Sequence, residues 1–247
     1  MTISVCLLFF LRAPHPGRVK TRLARDVGDA AAVALYRACV EDMLDALDAT
    51  GLPLALLVDT GGDAAGLGQP GDAGGDIGAV RRWLGAHRLY IPQATGDLGA
   101  RLDASFRWAF AQGYAAAAAL GSDVPLIDAA VLTQAARLLA ERRTILGPSP
   151  DGGYWCIGFS REAYRPEVFE DMPWSEPELF GRTVEALAGQ PLGLLPTLTD
   201  MDTLEDVREV MRSCPERQGR RVLAALRILG ETPGRDILCA KCGEPSA

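Results

Sequence analysis

The chain has 247 residues, of which 48% are hydrophobic and 23% charged, and its formal net charge is −7 at pH 7. This length and apolar content suffice for one substantial hydrophobic core in a single domain. The acidic excess argues against nonspecific binding to nucleic acid or to an anionic membrane surface, because both need a basic face.

The first predicted element is a buried strand over residues 3–11. This apolar run is much shorter than a bilayer-spanning helix, and it lacks the basic leader and small-residue cleavage site of a secretory signal. The six cysteines are scattered through core-like segments, which is typical of proteins in a reducing cytosol. We therefore expect a cytoplasmic protein with no membrane span.

Short apolar runs, loops rich in Gly, Pro or Asp, and amphipathic stretches then alternate along the chain. This alternation favours a mostly parallel sheet covered by helices on both faces. Further strands are predicted over residues 52–59, 88–92, 115–121, 144–146 and 192–198, and helices over residues 30–47, 102–112, 129–141 and 207–211.

Two segments depart from the simple pattern. Residues 115–119 are all alanine, the best helix former, but their position directly before a loop favours a strand. Residues 61–78 are dense in Gly and Asp with almost no large apolar side chain, which predicts a mobile surface loop. Their glycines neither follow a strand directly nor open a helix in the register of a dinucleotide-binding fingerprint.

The loop after the first strand combines basic side chains with Pro and Gly ahead of a helical pattern. Backbone amides at a helix start and nearby Lys or Arg can share a polyphosphate's charge, and open α/β sheets bind ligands at the carboxyl ends of their strands. The Walker spacing is absent, so the loop alone fits either a phosphate site or a solvated basic loop. The candidate phosphate-binding residues are Arg12, Gly17, Lys20, Thr21 and Arg22.

Asp123 directly follows a predicted strand, which Pro125 prevents from continuing. A carboxylate there faces the ligand crevice, and Mg²⁺ typically takes one or two carboxylates together with phosphate oxygens and water. The structural alternative is a turn residue that helps to cap the helix starting near Asp128.

A second acidic segment, residues 200–206, also follows a predicted strand. Thr203 and Asp206 fit a capping box for the next helix, which gives the segment a structural explanation. Asp200 and Asp202 are not used by that cap, so they could meet Asp123 and complete a metal site.

Two glycine-centred segments remain, residues 96–101 and 147–154. Asp-Gly and Gly-Gly are common hairpin connectors, so the second segment is explained by a turn. In the functional interpretation, its glycines let the backbone approach a ligand, and Asp151 or Tyr154 contacts the acceptor.

Two other features are open to more than one interpretation. Cys239 and Cys242 form a CxxC without a second ligand pair, which favours a tail of no catalytic role over a metal or redox site, unless subunits share a zinc ion. The aromatic residues of segment 162–180 fit ordinary packing, an acceptor wall or a subunit contact. A homodimer is therefore an open expectation.

Five motifs in chain order resemble the GT-A superfamily of nucleotide-diphospho-sugar transferases. In particular, they are similar to its bacterial branch of glycosyltransferase-like proteins, which is related to molybdenum-cofactor and 2-phospholactate nucleotidylyltransferases. The resemblance extends to about Met211 and excludes the tail. The motifs are Pro-Gly-x-Val-Lys-Thr-Arg-Leu at 16–23, Gly-Asp-Leu-Gly-x-Arg at 96–101, Gly-Ser-Asp-x-Pro at 121–125, Gly-Pro-x-x-Asp-Gly-Gly-Tyr at 147–154 and Asp-x-Asp-Thr-x-Glu-Asp at 200–206.

The resemblance implies a Rossmann-like three-layer α/β/α sandwich with a mostly parallel mixed sheet, formed by a nucleotide-binding domain over residues 1–212. Residues 213–247 would form a separate C-terminal helix and tail. It implies Mg²⁺ or Mn²⁺ held by Asp123 and Asp202. The further candidates are Gly96 and Asp97 for the nucleotide, Asp151 and Lys20 for catalysis, and Gly152, Gly153 and Tyr154 for the acceptor.

Three functions are consistent with these residues. The first is glycosyl transfer from a nucleotide-diphospho-sugar to a small-molecule acceptor, with the metal acting on the departing diphosphate. The second is nucleotidyl transfer, in which a phosphorylated acceptor attacks a nucleoside triphosphate and pyrophosphate leaves. The third is an idle binding or scaffold protein that kept the fold.

Overall fold

The computed structural model describes residues 4–61, 75–141, 143–213 and 219–230. In these ranges the strands are β1 (Val5–Arg12), β2 (Leu54–Asp59), β3 (Leu89–Pro92), β4 (Ala116–Leu120), β5 (Thr144–Pro148), β6 (Tyr154–Ser160) and β7 (Leu192–Leu194). The helices are α1 (Thr21–Val27), α2 (Asp29–Ala49), α3 (Gly75–Leu84), α4 (Leu98–Ala111), α5 (Ala129–Ala140), a 3₁₀ turn (Pro166–Phe169), α6 (Leu179–Ala186), α7 (Leu204–Ser213) and α8 (Arg220–Gly230).

The strands form one sheet in the order β3-β2-β1-β4-β6-β5-β7. β6 runs antiparallel to both of its neighbours, and the other pairings are parallel. The chain extends the sheet from β1 through β2 to β3 and then returns to place β4 on the other side of β1. The order of strands therefore reverses between β1 and β4, which is where open α/β sheets bind their ligands.

Two apolar clusters lie on the two faces of the sheet. Along β1, Leu7, Phe9 and Leu11 belong to one cluster, and Cys6 and Leu8 belong to the other, because successive side chains of a strand point to opposite faces. Helices α1, α2, α3, α5, α7 and α8 contribute to the first cluster, and α4, the 3₁₀ turn and α6 to the second. The predicted three-layer sandwich with a mostly parallel mixed sheet is confirmed.

The strand predictions are confirmed with small shifts at the ends, and one strand was missed. β7 ends at Leu194 rather than at residue 198, and no strand was predicted over β6. The run Tyr-Trp-Cys-Ile-Gly-Phe-Ser of β6 is rich in aromatic residues and directly follows the glycine turn, so its signal was present. The turn interpretation of residues 147–154 is confirmed, since this segment joins β5 to β6 as a hairpin.

The strand predicted over the alanine run is confirmed as β4. The side chains of β4 are all buried, and they alternate between the clusters, with Ala116 and Ala118 in the first and Ala117 and Ala119 in the second. β4 pairs with β1 on one edge and with β6 on the other. Tertiary pairing and burial on both faces therefore override the helical preference of alanine.

The loop predicted over residues 61–78 is wrong at its end. Gly75–Gly78 forms the first turn of α3, where Ile77 is buried against the first cluster. Asp76 in the same turn accepts hydrogen bonds from the loop after β1. The burial of Ile77 and the hydrogen bonds of Asp76 thus outweigh the glycine-rich composition of this segment. The rest of that prediction, residues 62–74, lies outside the described residues.

The aromatic segment 162–180 packs in the second cluster. Phe169 is 5% exposed and stacks on Phe106 with ring centroids 5.9 Å apart, and Trp174 and Phe180 pack against the same cluster. The ordinary-packing interpretation is confirmed for these side chains.

Helix α8 lies beyond the boundary predicted at residue 212 and packs on α2. Val222 and Leu226 join the first cluster, and Asp42 of α2 receives the backbone N–H groups of Arg221 and Val222 at 3.0 and 3.1 Å. The division of the chain at residue 212 stays a prediction, and Cys239 and Cys242 lie outside the described residues. No helix in the described ranges is long and apolar enough to cross a membrane.

The carboxylate of Asp42 should make a measurable contribution to stability. Its side chain is 5% exposed and caps the first turn of α8, so Asp42→Ala leaves two amides without a partner and should cost about 1–2 kcal/mol. The matched control is Asp45→Ala, because Asp45 pairs with the same Arg221 but is 66% exposed, and it should cost less than about 1 kcal/mol. Urea unfolding of the two variants tests this difference, and equal costs would refute the capping role.

Candidate active site at the carboxyl edge of the sheet

A cleft of about 650 Å³ opens at the carboxyl ends of β1, β2 and β4. Its walls come from the loop after β1, the ends of β2 and β3, the first turn of α4, the loop after β4 and the segment before α7. Six residues proposed from the sequence line it: Arg12, Lys20, Thr21, Arg22, Asp123 and Asp202.

Lys20 joins the two predicted metal ligands. Its Nζ lies 2.5 Å from Oδ1 of Asp123 and 2.8 Å from Oδ1 of Asp202. Lys20 is the N-cap of α1 with φ 49° and ψ 44°, a left-handed conformation that is rare for a residue other than glycine. The backbone N–H of Met201 donates to the carbonyl of Asp123 at 2.8 Å, so the two acidic loops are also joined directly.

Lys20 and Asp202 stabilise each other's ionised forms. Burial alone would lower the pKa of Lys20, but the neighbouring Asp123 and Asp202 carboxylates outweigh it and raise that pKa above its ordinary value. Burial would likewise raise the pKa of Asp202, but the charge and hydrogen bond of Lys20 lower it. Lys20 is therefore an ammonium and Asp202 a carboxylate at neutral pH.

Asp200 lies in a different environment from Asp202. Burial, reinforced by the charge of Asp151, raises the pKa of Asp200 to about 6. Asp151 itself is exposed, and its carboxylate accepts a hydrogen bond from the backbone N–H of Gly153 at 2.9 Å. Asp151 does not line the cleft, but its negative charge contributes to the raised pKa of Asp200.

Much of the positive charge in the loop after β1 already has an acidic partner. Arg12 Nε pairs with Asp59 at 3.0 Å, and Arg18 pairs with Asp76 at 3.1 Å. His15 Nε2 lies 2.9 Å from the same Asp76. These ion pairs do not fit the freely solvated loop that was one of the two interpretations, and the phosphate-binding role of the loop stays a prediction. A phosphate would meet side chains that are already held in place.

One wall of the cleft is a polar network that the sequence did not predict. Asp59 at the end of β2 receives Arg12 and Arg101, the latter at 3.1 Å, and Arg101 also reaches Oε1 of Gln93 at 3.4 Å. Burial alone would raise the pKa of Asp59, but the N–H of Gly61 and the two guanidinium groups outweigh it and lower that pKa. The wall therefore presents both donors and acceptors to a ligand.

Side chains of helix α2 make hydrogen bonds to the segments that carry the site residues. The Tyr36 hydroxyl accepts a hydrogen bond from the N–H of Arg12 at 2.8 Å and lies 3.4 Å from the Ser122 hydroxyl. Cys39 donates to the carbonyl of Ser122, and Met43 accepts from the N–H of Val124. The loops after β1 and β4 are therefore fixed to one buried helix face.

Gly96 and Asp97 lie outside the lining of the cleft, although other residues of their motif reach it. Asp97 caps α4 by accepting the N–H of Ala100 at 2.9 Å, and the carbonyl of Gly96 accepts a hydrogen bond from Nε of Arg101. Within the motif, Leu98 and Arg101 line the cleft. A nucleotide-binding role for Gly96 and Asp97 stays a prediction, as does one for Gly17, which occupies a turn with φ 72°.

The hairpin residues assigned to an acceptor are held by protein contacts. Gly152 has φ 88°, and a side chain there would collide with the backbone of Pro177. Tyr154 packs in the second cluster, and burial raises the pKa of its hydroxyl. An acceptor-binding role for Gly152, Gly153 and Tyr154 stays a prediction.

The predicted capping box at α7 is confirmed. Asp206 Oδ2 accepts the N–H of Thr203 at 2.7 Å, and the Thr203 hydroxyl lies 3.3 Å from the N–H of Asp206. The same oxygen accepts the N–H of Asp202 at 3.1 Å, so the cap also fixes the backbone that carries this carboxylate. The cap of α5 is Asp128, whereas Asp123 faces Lys20.

The comparisons with known proteins agree with this fold. A protein of Desulfovibrio desulfuricans G20 described as a "putative nucleotide-diphospho-sugar transferase" is 32% identical, with a TM-score of 0.79 over 92% of this chain and 96% of the other. A cytidylyltransferase of Leptospira borgpetersenii is 13% identical, with a TM-score of 0.52 over 92% and 94%. Rv0371c of Mycobacterium tuberculosis H37Rv is 17% identical, with a TM-score of 0.51 over 86% and 100%. The last two show a common fold alone.

The fold is thus that of the nucleotide-diphospho-sugar transferases, as the resemblance implied. The sequence matches the family described as "Uncharacterized protein conserved in bacteria (DUF2064)" over residues 43–176, and the chain belongs to this family. A search of curated proteins gives no match.

Proposed function

We propose that the protein transfers a group from a nucleotide-activated substrate with the help of a divalent cation, and that this reaction is glycosyl transfer from a nucleotide-diphospho-sugar. The Desulfovibrio relative, with its described transferase class, supports this proposal at 32% identity over most of both chains. The observation that carries it is the convergence of Lys20, Asp123 and Asp202 in the cleft at the reversal of strand order.

The two carboxylates fit a hard divalent cation such as Mg²⁺ or Mn²⁺. One oxygen of each lies within 2.8 Å of a single point, the Nζ of Lys20, so both can approach one positive charge. Carboxylate oxygens are the ligands such cations prefer, and one or two carboxylates suffice when phosphate supplies further oxygens. When bound, the cation would stabilise negative charge on a departing diphosphate.

The chain's own residues would bind and orient the nucleotide. The exposed Arg22 beside the cluster and the guanidinium groups of Arg12 and Arg18 can neutralise phosphate oxygens. The network of Asp59, Arg101 and Gln93 offers fixed donors and acceptors to the rest of the nucleotide. Preorganised groups of this kind stabilise charge without the reorganisation that water requires.

The acceptor would enter from the side of the β5–β6 hairpin. Asp151 stands near Asp200 and thus close to the acidic cluster, and it remains our candidate for contact with an acceptor hydroxyl or for general base. Its side chain is exposed and accepts a hydrogen bond from the N–H of Gly153 in the turn, so it can reorient when an acceptor binds.

Nucleotidyl transfer is the second candidate, because Arg12, Arg18 and Arg22 line one cleft and would suit a triphosphate. The products separate the two reactions. Purified protein is incubated with Mg²⁺ or Mn²⁺, each common nucleotide sugar or triphosphate, and a mixture of sugar and phosphorylated acceptors. Acceptor-dependent release of nucleoside diphosphate from a nucleotide sugar supports glycosyl transfer, and acceptor-dependent release of pyrophosphate from a triphosphate supports nucleotidyl transfer. Neither product from any donor would leave the idle scaffold.

The proposed compartment is the cytoplasm. Cys6, Cys39 and Cys156 are buried free thiols, which suits a reducing environment. We propose small-molecule partners only, a nucleotide sugar or triphosphate and an acceptor, and the oligomeric state can be read from light scattering of the same preparation.

A further inference from the structure

We propose that the buried ammonium of Lys20 weakens the binding of a free divalent cation to Asp123 and Asp202. The same two carboxylates bind the cation strongly when it arrives together with nucleotide phosphate. The inference rests on the proposed function and adds to it the form in which the metal is accepted.

The position of Lys20 carries the inference. Its side chain is 3% exposed, whereas those of Asp123 and Asp202 are 39% and 40% exposed. The ammonium therefore lies on the protein side of both carboxylates, and the carboxylates face the cleft. An ammonium so deeply buried and bound to both carboxylates is poorly placed to act as a simple surface ligand of phosphate.

The backbone holds this arrangement in place. Lys20 adopts left-handed dihedral angles at the start of α1, which a side-chain-bearing residue adopts only when its surroundings compensate for the strain. Its carbonyl accepts the first hydrogen bond of α1, from the N–H of Ala24 at 2.8 Å. The ion pairs are thus part of the folded loop and not a contact of a mobile side chain.

The charge balance explains the consequence. Lys20, Asp123 and Asp202 sum to −1, and the nearby charges of Asp200 and Arg22 are opposite and offset each other. A free divalent cation would therefore leave the cluster at about +1, with like charges close together. Such repulsion is weakly screened in a partly buried site. The phosphates of a nucleotide supply the missing negative charge, so cation and nucleotide should bind together more tightly than either alone.

The number of protein ligands leads to the same conclusion. Among the described residues, no group of three or more His, Cys, Asp or Glu side chains could hold a metal ion. Mg²⁺ requires close to six oxygen ligands, so two carboxylates leave most positions to water or phosphate. A site of this kind is completed by its substrate.

The test is direct binding of Mn²⁺, followed by the electron paramagnetic resonance signal of the free ion, with no nucleotide present. Lys20→Met preserves the length of the side chain and removes its charge, so it should bind Mn²⁺ at least about 10-fold more tightly than the wild type. Arg25→Met is the matched control. Arg25 is exposed on the same helix and does not line the cleft, so this variant makes the same charge change and should alter the affinity by no more than about 3-fold. Equal affinities of Lys20→Met and the wild type would overturn the inference.

The wild type alone gives a second test that does not depend on the folding of the variant. Its dissociation constant for Mn²⁺ should be about 1 mM or weaker, and ADP, CDP, GDP or UDP should tighten it. Low-micromolar binding of Mn²⁺ without nucleotide would overturn the inference, even in an active transferase. Tighter Mn²⁺ binding by Lys20→Met in a protein without transfer activity would support the inference and remove the proposed function.

Discussion

Replacing Asp123 with Asn should reduce turnover by on the order of 100- to 1,000-fold while the protein stays folded. The amide oxygen can still accept a hydrogen bond from Lys20, so the loop after β4 keeps its partner. The amide lacks the negative charge that holds a divalent cation. Initial rates at saturating donor and metal measure the loss, and a circular dichroism melt checks the fold.

Asp128→Asn is the matched control for this prediction. Asp128 lies on the same loop, and its carboxylate caps α5 by accepting the N–H of Val131 at 2.8 Å. Asn is as good an N-cap as Asp, so turnover should be unchanged. Turnover retained by Asp123→Asn, or an equal loss in both variants, would remove Asp123 from the metal site.

Replacing Gly152 with Ala should destabilise the protein by about 3 kcal/mol. The residue has φ 88°, and a Cβ would meet the backbone of Pro177, which cannot move aside as a side chain can. The carbonyl of Gly152 also accepts the N–H of Phe180 at 2.8 Å, so the hairpin is fixed to the first turn of α6. The midpoint of urea unfolding reports the change.

Gly153→Ala provides the comparison, since the neighbouring glycine belongs to the same motif. The three atoms nearest to its Cβ would all belong to the Asp151 carboxylate, with Oδ1 at 3.2 Å, and that exposed side chain can turn away. The expected cost is below about 1 kcal/mol. Similar small costs at both positions would show that packing against Pro177 does not require Gly152, and would strengthen its predicted role in acceptor binding.

The sequence predicted the parts of the site that follow from one rule. Asp123 and Asp202 were found because each follows a strand-like run, and the carboxyl ends of parallel strands share one edge. The same rule, applied to Asp59 at the end of the second strand and to Gln93 just after the third, would have found two more lining residues. Arg101 was visible as the last residue of its motif.

Other features depend on contacts between distant segments, which periodicity does not reveal. From the sequence, Lys20 is one basic residue of a predicted phosphate-binding loop, but its partners Asp123 and Asp202 lie far along the chain. The pattern of α2 indicates that Tyr36 is a core residue, yet its hydroxyl accepts a hydrogen bond from the N–H of Arg12 at the end of β1. Gly152 reads as a turn glycine, and only the fold shows that Pro177 requires it.

The same limit explains the missed strand. The antiparallel β6 lies between β4 and β5, and the chain passes from β5 to β6 through a hairpin and not through a helix. Alternation of strands and helices predicts a helix after each strand, so the residues directly after the glycine turn were not assigned to a strand. The aromatic content of β6 was the local signal that could have corrected it.

The most direct test of metal-dependent nucleotide binding is a thermal-shift panel of nucleotide sugars and nucleoside triphosphates, each with and without Mg²⁺ or Mn²⁺. A ligand that binds only the native state must raise the apparent melting temperature. We expect a shift for at least one nucleotide sugar that appears only with metal and disappears in Asp123→Asn. No shift with any nucleotide, with or without metal, would contradict the proposal and favour a protein that kept the fold without the chemistry.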